Sequence, residues 1–238
     1  FITLVYWLIR KAPKAWPLWA GLLTAVVFLF VFTFVPLLIE PMLNKYTPAP
    51  AGPVRDLVVQ MGKQVGVPTD KIFIYNGSKQ SSRYTANVSG MFGTARVAMS
   101  DTMFQKGADI AEVKGVVGHE MGHYVHQHGL WLAAAFATLT IVQAWLLTLL
   151  FPLIQRLAGA REVAGLADPA GLPVLMITFA LIGLLFTPVQ SSISRIAESD
   201  ADSFWLQNFK EPDVLAKALV KTIEYRADSP SKLEEVMF

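Results

Sequence analysis

His119, Glu120 and His123 stand in the pattern H-E-x-x-H. Two imidazoles four residues apart share one face of an α-helix, close enough to reach a single ion at roughly 2.0–2.1 Å. The glutamate between them projects about 100° to one side, too far round to be an equal ligand but beside the open coordination position. This arrangement predicts a zinc site whose water, with its pKa lowered to about 7, gives its proton to Glu120 and attacks a carbonyl. The competing reading is a polar helix end with a chance match. Against it, all four histidines of the chain, His119, His123, His126 and His128, fall within ten residues, beside apolar segments where polar groups are rarely placed without a function. A catalytic zinc takes three protein ligands. His126 shares the face of His119, but seven residues of helix span about 10.5 Å, too far for one ion. His126 and His128 are therefore expected as interfacial residues or as partners behind the ligands.

The elements that must carry this motif follow from charge and hydropathy. Of 238 residues, 53% are hydrophobic and only 16% charged, too few charges to coat a soluble domain. No charged residue occurs between Lys14 and Glu40, between His128 and Arg156, or between Asp168 and Arg195. Each stretch exceeds the roughly 20 apolar residues that cross a hydrocarbon layer about 30 Å thick. Trp16, Trp19 and Trp131 lie near their ends, where amphipathic rings favour the headgroup level. Asp109 followed by Glu112 resembles a capping box that starts the motif helix, and Val113, Val116 and Val117 carry helical spacing into it.

If the second and third stretches each cross once, the chain returns at Arg195 on the side of His119. Glu198 is then one helical turn in and Asp202 one further turn along the same face. Glu198 would complete a His-His-Glu set, and Asp202 would orient a ligand imidazole. Asp200 and Asp202 equally suit a solvated acidic turn, and spacing alone leaves both readings open. Between the first two stretches, Pro41, Pro48, Pro50 and Pro53 read as a loop leaving the bilayer. Residues 54–65 then carry helical spacing, residues 71–75 and 95–100 alternate as strands, and residues 76–93 read as loop with an edge strand near Asn87.

Three separated patches resemble the integral-membrane CAAX prenyl endopeptidases of type 1, the a-factor-converting zinc proteases, and more distantly the HtpX-like bacterial membrane proteases. They are residues 40–48, reading EPMLNKYTP, the motif at His119–His123, and Ser194-Arg195 with Glu198 and Ala201-Asp202. The resemblance implies one Zn2+ per chain held by His119, His123 and Glu198, with Asp202 behind them. It also implies a substrate-pairing edge at Ala86, Asn87 and Val88; read by itself, Asn87 is a turn residue. Family members have about seven spans, so the resemblance implies that spans preceding Phe1 are missing and that the sequence is a fragment. It further implies a His and an Arg beyond Phe238 that steady the oxyanion; Arg195 is a candidate substitute, or a partner of Asp202 or Glu198.

The expected fold is mostly α, a multi-span helical membrane protein with a zincin-like metalloprotease domain holding a small β-sheet. Its division is 1–39 as membrane helices, 40–128 as catalytic domain, 129–155 as a span, 156–170 as a loop, 171–194 as a span, and 195–238 as the third-ligand helix. The expected partners are a peptide or protein substrate, lipidated or not, and membrane lipid. A formal net charge of +2 without a long basic run gives no reason to expect nucleic acid. With no cysteine, disulfides and thiolate ligands are excluded. A metal transporter would need ionisable groups deep in its spans, and the three stretches have none. Charge counting places Arg10, Lys11, Lys14, Arg156 and Arg161 opposite the zinc and so in the cytosol. The family resemblance implies the reverse, a cytosolic active site, which is the expectation kept here. The Ala-rich, cysteine-free composition suggests a bacterial inner membrane.

Overall fold

The computed structural model describes residues 2–90, 95–222, 231, 234 and 237. Helix α1 (Ile2–Lys11) leads into α2 (Trp16–Phe34), which ends in one wide π turn, Val35–Ile39, and a short α3 (Glu40–Leu43). Pro36 lies in that turn, and Arg96 donates to its carbonyl. A wide turn leaves an i–4 carbonyl free for such an outside donor. After β1 (Tyr46–Pro48) come α4 (Pro53–Val65), β2 (Ile72–Tyr75), β3 (Ala86–Ser89), β4 (Arg96–Ser100), α5 (Ile110–Val125), α6 (His128–Leu157), α7 (Leu172–Phe209) and α8 (Pro212–Thr222).

Residues 16–34, 128–157 and 169–209 are long and apolar enough to cross a membrane, and few of their side chains are buried in the isolated chain. The expected spans are thus present as helices. The third differs from expectation in one respect: α7 runs unbroken for 38 residues, from the apolar stretch straight through Glu198. Pro188 does not end it.

The chain forms two compact units. In the helical one, Ile9, Trp16, Ala144, Leu147 and Ile182 make the core. There the Trp16 indole N–H donates to Thr148 at 3.2 Å, as a buried indole requires.

The other unit holds the sheet, in order β1-β2-β4-β3. β2 and β4 are parallel, with Ile72 opposite Val97, while β1 and β3 join antiparallel on the two sides. Pro48 is expected in the loop leaving the bilayer. The structure instead pairs Tyr46–Pro48 with β2, and Pro48 is tolerated because β1 is an outer strand. Every residue of β4 is buried, and the strand lies between β2 and β3. Val58 and Met61 of α4, Val97 and Met99 of β4, Val113, Val117 and Met121 of α5, and Trp205 of α7 form one core.

Candidate active site

α5 begins where its composition says it should: the Asp109 carboxylate accepts the Ala111 N–H at 2.9 Å. Its apolar stripe, Val113, Val117 and Met121, repeats every four residues and is fully buried. The adjacent face carries His119, Glu120 and His123. Glycines let α7 approach closely. A Cβ at Gly122 would sit 3.0 Å from the Ala201 backbone, and one at Gly118 would sit 2.3 Å from the Trp205 ring. The helix ends at Val125 with His126 as its C-cap, and Gln127, with φ of 52°, turns the chain into α6.

The close packing delivers residues 198–202 of α7 to the histidines. His119 Nε2 and His123 Nε2 are 3.1 Å apart, and a Glu198 carboxylate oxygen lies 3.2 Å from the first and 3.7 Å from the second. Three donors placed about 2.0–2.2 Å from one ion at tetrahedral angles are separated by roughly 3.4 Å. The observed triangle therefore fits a zinc ion without rebuilding, and His119, His123 and Glu198 are the residues that would hold it. Two nitrogens and one carboxylate oxygen are also a donor set that zinc accepts at catalytic centres.

The surrounding groups suit a cation. His119 Nδ1 donates to Asp202 at 2.8 Å, which leaves Nε2 with its lone pair toward the triangle. Burial works against a charge on His119. The Glu198 carboxylate, which can accept a hydrogen bond from the protonated ring, and the negative fields of Glu120, Asp202 and Glu198 outweigh it and raise the affinity of this ring for a proton. Burial raises the Glu120 carboxyl above the ordinary carboxylate range, against the pull of His123 and His119. A carboxyl pushed upward is a stronger base when ionised, which suits proton transfer near neutral pH. Arg195 lies exposed on α7, three residues before Glu198.

His126 and His128, expected as interfacial residues or as partners behind the ligands, form a second group with Asp200. His128, 2% exposed, faces His123 with Nδ1 to Nδ1 at 2.6 Å, and its Nε2 is 3.1 Å from Asp200 Oδ2. The same oxygen lies 2.5 Å from His126 Nδ1. The signal was present in the His spacing, but the link to Asp200 depends on the register of α5 against α7, which no local pattern encodes.

Asn87 lies on β3, which occupies one side of the sheet and packs against α5. Its amide donates to the Glu40 carboxylate at 3.4 and 3.5 Å. That carboxylate also accepts the Tyr46 hydroxyl at 2.6 Å and faces Arg96 at 3.5 Å. Burial, then the bond to Glu40, pushes the Tyr46 phenol well above its usual range. Asn87 is thus held by a set of polar groups, with Ala86 buried before it and Val88 partly buried after it.

The profile of peptidase family M48 matches residues 48–237. A metalloprotease of Bacillus subtilis (strain 168), YhfN, is 28% identical over 207 residues, 87% of this chain and 48% of its own length. CAAX prenyl protease 1 of Saccharomyces cerevisiae (strain ATCC 204508 / S288c) is 30% identical over 204 residues, 75% of this chain and 44% of its own length. The crystal structure of S. mikatae Ste24p superposes with a TM-score of 0.74 at 23% identity, covering 99% of this chain and 58% of that one, a likeness of fold. The chain spans about half the length of the curated relatives it matches. With a profile match over most of its residues, including both the H-E-x-x-H helix and the segment bearing Glu198, this chain belongs to peptidase family M48.

Proposed function

We propose that the chain is a zinc endopeptidase of the membrane. The observation that carries this reading is the triangle of His119, His123 and Glu198, 3.1 to 3.7 Å on its sides, with Glu120 next to it on α5. Bound there, zinc would supply a Lewis acid that polarises the scissile carbonyl and lowers the pKa of water to about 7. Glu120 then takes the proton of the attacking water and passes it toward the leaving amide nitrogen. Asp202 holds the His119 ring in the tautomer that presents Nε2.

β3 offers an outer strand to which an extended peptide can add, and main-chain pairing at Ala86, Asn87 and Val88 would align the scissile bond with the site. The substrates would be membrane-associated proteins, including prenylated CAAX-type chains of the kind named for the yeast relative. The alternative substrate range is membrane proteins without a prenyl group. The site would face the cytosol, in a bacterial inner membrane.

The test is cleavage of a farnesylated CAAX peptide and of the same peptide without lipid, by wild type and by Glu120→Gln. Removal of the base should leave zinc content unchanged and lower turnover by a factor on the order of 10²–10⁴ on both peptides. Full activity in Glu120→Gln would defeat the proposal. Equal rates on the two peptides would defeat prenyl recognition alone.

A further inference from the structure

We infer that His128 and Asp200 are positioning residues for the zinc site: they fix the tautomer and orientation of His123 through a hydrogen-bonded chain two members long. The inference rests on the zinc reading above and extends it to residues that no part of that mechanism used.

The two candidate imidazole ligands are supported differently. His119 meets a carboxylate directly, Asp202 at 2.8 Å. Among the described residues His123 meets no carboxylate on its outer side; its Nδ1 faces His128 Nδ1 at 2.6 Å. The proton count across this contact follows from the far end. Asp200 Oδ2 only accepts, so His128 Nε2, 3.1 Å away, carries a hydrogen and donates it. A neutral His128 then has a bare Nδ1. Only one proton fits between two nitrogens 2.6 Å apart, so His123 Nδ1 donates and its Nε2 is left bare, aimed at the triangle with His119 and Glu198. This is the tautomer a metal requires. Were His128 a donor at Nδ1 instead, the His123 hydrogen would sit on Nε2 and block the site.

Asp200 is itself steadied, because the same oxygen accepts from His126 Nδ1 at 2.5 Å. Three residues of α7, Glu198, Asp200 and Asp202, thereby supply one ligand and the outer carboxylate behind each of the two imidazoles. Gln127, with φ of 52°, lets His128 fold back beneath the His123 ring rather than continue along α5. Outer partners of this type typically change metal affinity 10–100-fold.

Zinc affinity of the full purified chain, measured by competition with a chromogenic chelator, tests this. His128→Leu keeps the apolar volume and removes the acceptor, and it should weaken zinc binding 10–100-fold. His128→Asn returns an oxygen where Nδ1 stood and should recover most of the loss; a merely structural role for the ring would not be rescued by this smaller polar group. Asp200→Ala should weaken zinc less than His128→Leu, because the chain is cut one bond further out. Wild-type affinity in His128→Leu, or a His128→Asn as weak as His128→Leu, would overturn the inference. So would a second zinc per wild-type chain that disappears in His126→Ala, since His128 Nε2 would then be a ligand. If His128→Leu does not fold, Asp200→Ala decides, with unchanged affinity counting against. Failure of the zinc reading is distinct: there Glu198→Ala itself would leave zinc affinity untouched.

Discussion

Asp202 and Glu198 lie four residues apart on α7 and meet the same imidazole from opposite sides, at 2.8 Å on Nδ1 and 3.2 Å on Nε2. One carboxylate is placed as a ligand and the other as the group that fixes the ring. Asp202→Ala should therefore raise the zinc dissociation constant 10–100-fold while barely moving the unfolding temperature of the metal-free chain. An unchanged constant would mean that His119 needs no outer acceptor. At this scale much was legible. The H-E-x-x-H spacing is local, and its geometry on a helix follows from 3.6 residues per turn. Glu198 could be proposed because two apolar stretches return the chain to its starting side. Asp200 could not be assigned, since a short acidic segment looks alike whether it faces water or four histidines.

Between α5 and α7 the decisive residues are small. Gly118 leaves room for the buried ring of Trp205, and Gly122 for the Ala201 backbone. A methyl group at Gly118 would overlap a fully buried indole and lie 3.1 Å from the Met61 side chain. Gly118→Ala should cost about 1–3 kcal/mol, read as a lower unfolding temperature, with zinc affinity falling as Glu198 is displaced from the histidines. A variant as stable as wild type would show that the two helices can part without loss. The strands of residues 72–75 and 96–100 and the helix of residues 53–65 were legible from alternation and periodicity, whereas β3 falls in a stretch whose own residues read as loop with an edge strand near Asn87. β1 was not. It is three residues long, ends in proline, and exists because Tyr46 pairs with Tyr75 far along the chain. The wide turn at 35–39 was equally hidden, because its stabilising donor, Arg96, lies sixty positions away. That α7 continues unbroken past Pro188 also escaped the reading, which took a change of polarity for a change of element.

Across the whole chain, composition alone gave the class: three stretches free of charge became three helices long and apolar enough to cross a membrane. Exposed Leu149, Leu153, Phe179, Leu184 and Leu185 on α6 and α7 form surface that water would not tolerate. The chain should accordingly stay with the membrane fraction through alkaline carbonate and high salt and leave it only with detergent. Release by salt would contradict the spanning reading. The site itself is a property of this larger arrangement, for Glu198 reaches the histidines only by way of two long helices, 75 residues after His123. The most direct measurement is zinc per chain in the purified protein at limiting zinc, with and without Glu198. Wild type should hold about one equivalent and Glu198→Ala close to none, because a site preformed in the fold loses a third of its donors. A Glu198→Ala chain that keeps one zinc at wild-type affinity would contradict the account.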